Sequence, residues 1–390
     1  MVTTIIVFIL ILGLLIFVHE LGHFVTARRN GIAAHEFGFG FPPRFAGVYR
    51  DATTGKWRLV FGSRNVAARG TIYSLNWIPL GGFVRIKGED GTDNDPDSFA
   101  TKSAWIRIKV LAAGVMMNIV LAWVLISIGF MIGIPQTLDT VLSTRAQSTE
   151  AHVQVLAVEN DSPAQRMGIG IGDLIMSVCA EQTQSCEEIV TIADLQRVIT
   201  AHATENIAIT VQRGEAQHTL RGVPRIEPQT NEGRIGVQIE EVALVRYPWY
   251  EAFWWGIGAT YTMTKNILIA FGMMIASLVT GAGVSADLAG PVGIAYLTKQ
   301  VTELGISYLL QFAALLSVNL AIINAIPFPA LDGGRMLFVL IEKIKGSPVS
   351  RRVEGIAHSL GFSLLILLMI VVTFRDLIRF DVLEKIKGLL

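Results

Sequence analysis

Two histidines and a glutamate lie close together near the N-terminus, in the motif H-E-L-G-H at residues 19–23. On a helix, His19 and His23 project from the same face, so both imidazoles can reach a single zinc ion. Glu20 beside them can act as general base toward a water molecule that the ion activates. The spacing therefore indicates metal-assisted hydrolysis. The alternative is a buried histidine pair that binds no metal.

The position of this motif favours the metal site. The run from about Ile5 to Ala27 is otherwise apolar, and ionisable groups inside a bilayer are costly enough to indicate function by default. His19 follows Ile5 by about 14 residues, which is roughly 21 Å along a helix. That distance places the motif toward the far side of a hydrocarbon core about 30 Å thick.

A catalytic zinc usually has three protein ligands, so a third ligand is needed at similar depth. Asp332 is the leading candidate, because it follows a long apolar segment that Pro327 and Pro329 interrupt. Backbone without helical hydrogen bonds is tolerated at that depth only where it is buried in protein or lines a polar cavity. An aspartate in an ordinary cytoplasmic turn is the alternative. Further candidates for the ligand are Glu89, Asp90 and His35.

The composition is that of a membrane protein. Of 390 residues, 52% are hydrophobic and 16% are charged, whereas soluble domains have about 25% charged residues. The 32 Lys and Arg balance 32 Asp and Glu, so no basic field indicates nucleic acid. Spanning a bilayer takes about 20 apolar residues. Four stretches are long enough, at about 5–27, 110–134, 306–331 and 355–374.

Basic residues predict the orientation of these spans. Arg28 and Arg29 follow the first span, which places its end and residues 28–109 in the cytoplasm. A basic connection after the third span, 335–352, is then also cytoplasmic. If a fifth apolar stretch, 252–286, crossed the membrane fully, the third span would run in the opposite direction. The basic connection 335–352 would then lie outside the cytoplasm, against the rule that basic loops are cytoplasmic. We therefore predict interfacial or re-entrant helices at 248–286, anchored by Trp249, Trp254 and Trp255, with a fifth span as the alternative.

Two segments between the spans predict β-structure. Residues 150–225 alternate strand and helix patterns and contain both cysteines, Cys179 and Cys186. If this insert faces an oxidising compartment, a local disulfide is one outcome and two unpaired thiols the other. Residues 71–88 predict two short strands around 76–79, where Gly81 and Gly82 allow close backbone approach. The edge of such a hairpin can hold a peptide extended; an ordinary cytoplasmic hairpin is the alternative.

Several motifs, in chain order, resemble the site-2 protease family of intramembrane zinc metalloproteases, regulator of sigma-E protease type. Beside H-E-L-G-H, the matching segments are G-F-G-F-P-P-R at 38–44, P-L-G-G-F-V at 79–84, L-A-G-P-V-G at 288–293 and N-x-x-P-x-P-x-L-D-G at 324–333. Residues 162–173 resemble the start of a PDZ domain. The chain departs from the family at Val115, where proline is frequent, and in its single PDZ-like insert, where some relatives have two.

The resemblance implies a polytopic α-helical membrane protein with a PDZ-like (α+β) extracytoplasmic insert and a membrane-associated β-loop. The first membrane half would comprise residues 1–134, the PDZ-like domain 150–225, and the second half 287–390. An amphipathic tail is predicted from Arg375 onward. The protein would reside in the bacterial inner membrane, in contact with lipid, with its active site toward the cytoplasm.

The resemblance also implies roles for individual residues. Zn²⁺ would be bound by His19, His23 and Asp332, with Glu20 as catalytic base. Asn324 would bind or position the substrate. The residues expected to contact an extended substrate on the β-loop are Gly81, Gly82 and Phe83. Substrates would be single-span proteins such as anti-sigma factors or signal-peptide remnants, cut in or near the transmembrane segment.

Two other functions fit a polar cluster inside a membrane. A metal transporter would need polar residues across the whole bilayer, whereas here they lie at one level. A non-catalytic scaffold would be expected to lack Glu20 or a ligand, and this chain has the full set. The PDZ-like insert either binds peptides or acts as a folded spacer that excludes bulky substrates.

Overall fold

A computed structural model describes residues 2–89, 91, 93–137, 145–159, 161–181, 185–226, 233–281, 289–347 and 349–379. Asp90, Leu288 and the tail beyond residue 379 lie outside the described residues. The helices are α1 (Val2–Arg29), α2 (Ala104–Ile132), α3 (Pro163–Met167), α4 (Ile192–Ala201), α5 (Trp249–Thr280), α6 (Pro291–Leu304), α7 (Ile306–Ala325), α8 (Asp332–Lys345) and α9 (Arg351–Arg379).

Helices and strands together form two compact units. They are β1 (Ala34–Arg50), β2 (Trp57–Phe61), β3 (Ile72–Ile86), β4 (Ile134–Thr137), β5 (Gln147–Ser148), β6 (His152–Val158), β7 (Leu174–Ala180), β8 (Ser185–Glu188), β9 (Ile207–Arg213), β10 (Ala216–Gly222), β11 (Arg225–Ile226), β12 (Gly233–Arg234) and β13 (Val237–Arg246). The first unit comprises Met1–Val124, Ala259–Thr298 and Ala313–Leu390, and the second comprises Leu125–Gly258 and Lys299–Phe312.

Within the described residues, four helices are long and apolar enough to cross a membrane: Thr3–Arg29, Ala104–Ile132, Ile306–Ala325 and Arg351–Ile378. They correspond to the four predicted spans. The third ends at Ala325 rather than at 331, because Pro327 and Pro329 cannot donate helical hydrogen bonds. The fourth is longer than predicted, so residues 375–379 continue α9 instead of starting a separate tail.

The fifth apolar stretch forms most of α5, a continuous helix of 32 residues. It is not among the four helices above. Trp249 and Trp254 near its start are 74% and 68% exposed. Exposed tryptophans at a helix end suit a membrane interface, and the interfacial placement of this stretch stays a prediction.

The β-sheet of the first unit has the strand order β2-β1-β3. Near Phe37, β1 pairs with β3 on both sides, at Tyr73 and at Val84. The sequence predicted an interruption at 76–79, but β3 continues through it with shifts in register. Among the described strands, residues 82–86 pair with β1 alone. Their other side is therefore a sheet edge.

A buried ion pair ties the two halves of β1 together. Arg44, the last residue of the G-F-G-F-P-P-R motif, donates from Nε and Nη2 to the two carboxylate oxygens of Glu36 at 2.7 and 2.6 Å. Burial raises the pKa of this carboxyl, but the hydrogen bonds from Arg44 and Ser74, together with the positive charges of Arg44 and Arg85, outweigh burial and hold the pKa of Glu36 below its usual value. The motif thus has a structural reason to end in arginine.

The second unit contains the predicted insert. Its sheet has the order β10-β9-β7-β6-β13-β4, with β5 on β13 and β8 on β7. Cys179 and Cys186 face each other across β7 and β8 and form a disulfide. The sheet includes β4 and β13, which lie outside the predicted 150–225. Its core contains Val153, Ile175, Val198, Ile207 and Ile235, among other buried residues.

Candidate metal centre

Three side chains from two distant parts of the chain converge in the first unit. His19 and His23 lie on α1, and Asp332 is the first residue of α8. Oδ2 of Asp332 is 2.9 Å from Nε2 of His19 and 3.2 Å from Nε2 of His23. The two Nε2 atoms are 3.1 Å apart. These three residues are called the His-His-Asp cluster below.

The donor set of this cluster fits a metal cation. Nδ1 of His23 is 2.8 Å from the carbonyl oxygen of Val110, which can only accept, so Nδ1 carries the proton. Nε2 of the neutral ring then carries a lone pair, which faces the carboxylate of Asp332. Both histidines are buried, at 7% and 6% exposure. A shared cation among these atoms removes the repulsion between them, and imidazole with carboxylate is a typical zinc ligand set.

The second nitrogen of His19 has a partner on α2. Asn118 is fully buried, and its side-chain nitrogen lies 3.3 Å from Nδ1 of His19. Asn118 Oδ1 has no hydrogen-bond partner among the described residues. Because amide oxygen and nitrogen are assigned by their partners, a rotated amide would let Oδ1 accept from Nδ1–H of His19. In that orientation, Asn118 would keep Nε2 of His19 free for a metal.

Glu20 lines a cavity of about 190 Å³ together with His23 and Asp332. Two further charged residues, Glu89 and Arg335, form an ion pair on its wall. The apolar part of the wall consists of Phe83, Val84, Ile86, Phe99, Val110 and Leu111. A carboxylate therefore faces a space beside the cluster that can admit water and a peptide group.

A glycine on α2 makes room for the imidazoles. A Cβ added at Gly114 would lie 2.3 Å from Nε2 of His23 and 2.8 Å from Cε1 of His19. Real Cβ contacts are essentially never shorter than 3.0 Å. The absence of a side chain at position 114 is thus a condition for the observed cluster.

The other predicted site residues have different positions. Phe83 lines the cavity, while Gly81 and Gly82 pack against α1 at Ile16 and Phe17. Asn324 lies in the last turn of α7 and is not one of the residues that line the cavity. Of the alternative ligands, Glu89 pairs with Arg335, and His35 is exposed on β1.

Sequence reasoning missed two residues of the site. They are Gly114 and Asn118, on either side of Val115, and the sequence alone assigns neither a role. The available signal was that Asn118 is a polar side chain in a span without charges, and polar groups inside a membrane indicate function.

Apolar helices of spanning length and a buried His-His-Asp cluster beside a glutamate define the class of membrane-embedded metallopeptidases. Residues 7–368 match Peptidase family M50, and the chain belongs to this family. Regulator of sigma-W protease RasP from Bacillus subtilis is 29% identical, over 97% of this chain and 99% of its own. Zinc metalloprotease RasP from Bacillus licheniformis is also 29% identical, over 96% of this chain and 99% of its own.

The predicted enzyme class, a zinc metalloendopeptidase of the site-2 protease type with Zn²⁺ as cofactor, is confirmed by this membership. The chain is an integral membrane protein. A solved PDZ domain of the SdrC-like protein from Listeria monocytogenes covers 24% of this chain at 18% identity, with a TM-score of 0.20. That score is too low to establish a shared fold for the insert.

Proposed function

We propose that this protein is an intramembrane endopeptidase that cleaves the transmembrane segments of single-span membrane proteins. The observation that carries the proposal is the convergence of His19, His23 and Asp332 within 2.9–3.2 Å on helices of an integral membrane protein. Ionisable groups at such a position require a functional reason, and a peptidase metal site supplies one.

The chain's own residues divide the work of hydrolysis. His19, His23 and Asp332 would hold Zn²⁺ through Nε2, Nε2 and a carboxylate oxygen. When bound, Zn²⁺ polarises the scissile carbonyl and makes water more acidic. Glu20 takes the proton of the attacking water and delivers it to the leaving amide nitrogen. The cavity that Glu20 lines would hold both the water and the peptide group.

The edge of β3 is proposed to hold the substrate. A helical substrate hides its peptide bonds in its own hydrogen bonds, and strand addition would expose them. Among the described strands, residues 82–86 of β3 have a strand partner on one side only, and Phe83, Val84 and Ile86 line the cavity. A peptide added to this edge would pass beside Glu20. By resemblance, Asn324 would help to position it.

Substitution of Asn118 by leucine is expected to weaken zinc binding about 10–100-fold, the usual effect of losing a partner of a ligating histidine. Asn118→Asp keeps an acceptor for Nδ1–H of His19 and should bind zinc nearly as the wild type does. Affinity is measured by competition with a chelator on the purified full chain. Ser127→Ala, elsewhere on α2, is the control. Unchanged affinity of the leucine variant would show that Asn118 does not orient His19.

The cleavage assay uses the purified protein in liposomes with a single-span substrate. Mass spectrometry is expected to map the cut within the apolar segment, and helix-weakening glycines in that segment should speed cleavage. Asp332→Ala should abolish it. Cuts confined to the flanking segments would refute intramembrane cleavage. Zinc flux across the same vesicles without any cleavage would favour a transporter instead.

The insert is proposed to lie outside the cytoplasm and the cluster toward the cytoplasmic side. The disulfide between Cys179 and Cys186 suits an oxidising compartment. Single cysteines introduced at Glu215 in the insert and at Lys345 at the end of α8 test this. In intact spheroplasts an impermeant maleimide should label the first, and the second only after permeabilisation. The opposite labelling would show that the orientation is inverted.

Peptide binding by the PDZ-like insert is also proposed.

A further inference from the structure

The segment that delivers Asp332 to the cluster is a short loop, residues 326–331, between α7 and α8. In this α7–α8 loop Ala330 has a φ of 79°, a left-handed conformation that residues other than glycine rarely adopt. The next residue, Leu331, is the N-cap of α8 and makes no side-chain capping bond. Its carbonyl accepts from the N–H groups of Gly334 and Arg335 at 3.1 and 3.2 Å. The left-handed residue Ala330 thus lies directly before the N-cap of α8.

One side chain outside the loop forms a hydrogen bond with Ala330. Nδ1 of His358, on α9, accepts a hydrogen bond from the backbone N–H of Ala330 at 2.8 Å. Because Nδ1 is the acceptor, the neutral ring carries its proton on Nε2. The ring lies 5.5 Å from that of Phe338 on α8, and the side chain is 22% exposed. His358 thus contacts the loop and α8 together.

The backbone of α9 lies close to the loop one turn later. A Cβ added at Gly361 would be 2.4 Å from the carbonyl oxygen of Pro329. Two neighbouring positions of α9 therefore contact two consecutive residues of the α7–α8 loop. A polar residue in a helix of spanning length needs a reason, and neither the cluster nor the cavity includes His358.

We propose that His358 is a positioning residue for Asp332. Its acceptor nitrogen holds Ala330 left-handed, which starts α8 at Asp332 and directs that carboxylate toward His19 and His23. Loss of the acceptor lets the loop relax and moves Asp332 away from the histidines. This inference rests on the proposed function, since it takes Asp332 as a zinc ligand.

The test measures zinc affinity of the purified full chain by chelator competition, with thermal unfolding to check the fold. His358→Leu is expected to weaken zinc binding about tenfold, the lower end of the usual effect beyond the ligands. His358→Asn should remain near wild type, because its side-chain oxygen can accept from the N–H of Ala330. Ser363→Ala is the matched control, since Ser363 is exposed on α9 and its hydroxyl donates to the carbonyl oxygen of Ser359 in the same helix.

A double variant separates positioning from a general structural role. Glycine adopts the left-handed conformation without strain, so Ala330→Gly should restore most of the zinc affinity that His358→Leu loses. The absorption spectrum of the Co²⁺-loaded protein should change in His358→Leu and return toward wild type in the double variant. A merely structural histidine would not be rescued at position 330.

The inference is overturned if His358→Leu binds zinc as tightly as wild type, if His358→Asn is equally defective, or if Ala330→Gly gives no rescue. Asp332→Ala distinguishes failure of the proposed function from failure of the role proposed for His358. If that variant keeps wild-type zinc affinity, the proposed function fails, and the role of His358 fails with it. If it loses zinc while His358→Leu does not, only the role of His358 is refuted.

Discussion

Substitution of Glu20 by glutamine is expected to leave zinc binding unchanged and to lower the cleavage rate by a factor of about 10²–10⁴, the usual contribution of a general base. Glutamine has nearly the same shape as glutamate but cannot take a proton from water. Glu20 is not a member of the His-His-Asp cluster, although it lines the same cavity. Single-turnover cleavage in liposomes and zinc content by mass spectrometry measure the two effects.

The matched control for this prediction is Glu89→Gln, which changes the other glutamate of the cavity wall. Glu89 pairs with Arg335, and its loss should leave most of the cleavage rate. Cleavage by Glu20→Gln at a rate within tenfold of wild type would contradict the assignment of Glu20 as base. Loss of zinc from that variant would show that Glu20 contributes to metal binding instead.

Substitution of Gly114 by alanine is expected to release zinc and abolish cleavage. The added methyl group would lie 2.3 Å from Nε2 of His23, so the ring must move from the position that the cluster requires. A buried ring in a packed interior has little space to move. Zinc stoichiometry of the purified variant is the direct measurement, with thermal unfolding to show that the helices still assemble.

Gly272→Ala is the control for Gly114→Ala. Gly272 is also a helical glycine, on α5, and an added Cβ would meet no neighbouring atom of the described residues within 4 Å. This variant should bind zinc and cleave substrate as the wild type does. Full zinc occupancy in Gly114→Ala would contradict the packing of α2 against the histidines.

The histidine pair could be predicted from the sequence because helix geometry alone places residues four apart on one face. Asp332 could be predicted because the apolar spans fix its depth, and the prolines before it indicate an interrupted helix. Asn118, Gly114 and His358 could not be assigned roles in this way. Their contacts depend on how α2 packs against α1 and how α9 packs against the α7–α8 loop, and no local pattern encodes these arrangements.

The same distinction applies to the sheets. The local patterns at 153–158, 174–178 and 207–212 predict strands, and β6, β7 and β9 are found there with bounds that differ by at most two residues. Local patterns did not predict that β4 and β13 join that sheet, since pairing between segments about 100 residues apart leaves no local periodicity. Nor did they predict that β3 runs through Pro79. A proline lacks the N–H that a strand partner would accept from, but a strand tolerates it where the register shifts, as β3 does here.

We propose that His19, His23 and Asp332 together bind one zinc ion within the membrane part of the chain. Zinc-edge X-ray absorption on the purified full-length protein tests it most directly. We expect two histidine nitrogens and otherwise oxygen neighbours around the zinc, with one imidazole signal lost in His23→Ala and the remaining signals altered in Asp332→Ala. A sulfur neighbour, or a spectrum that neither substitution changes, would contradict it.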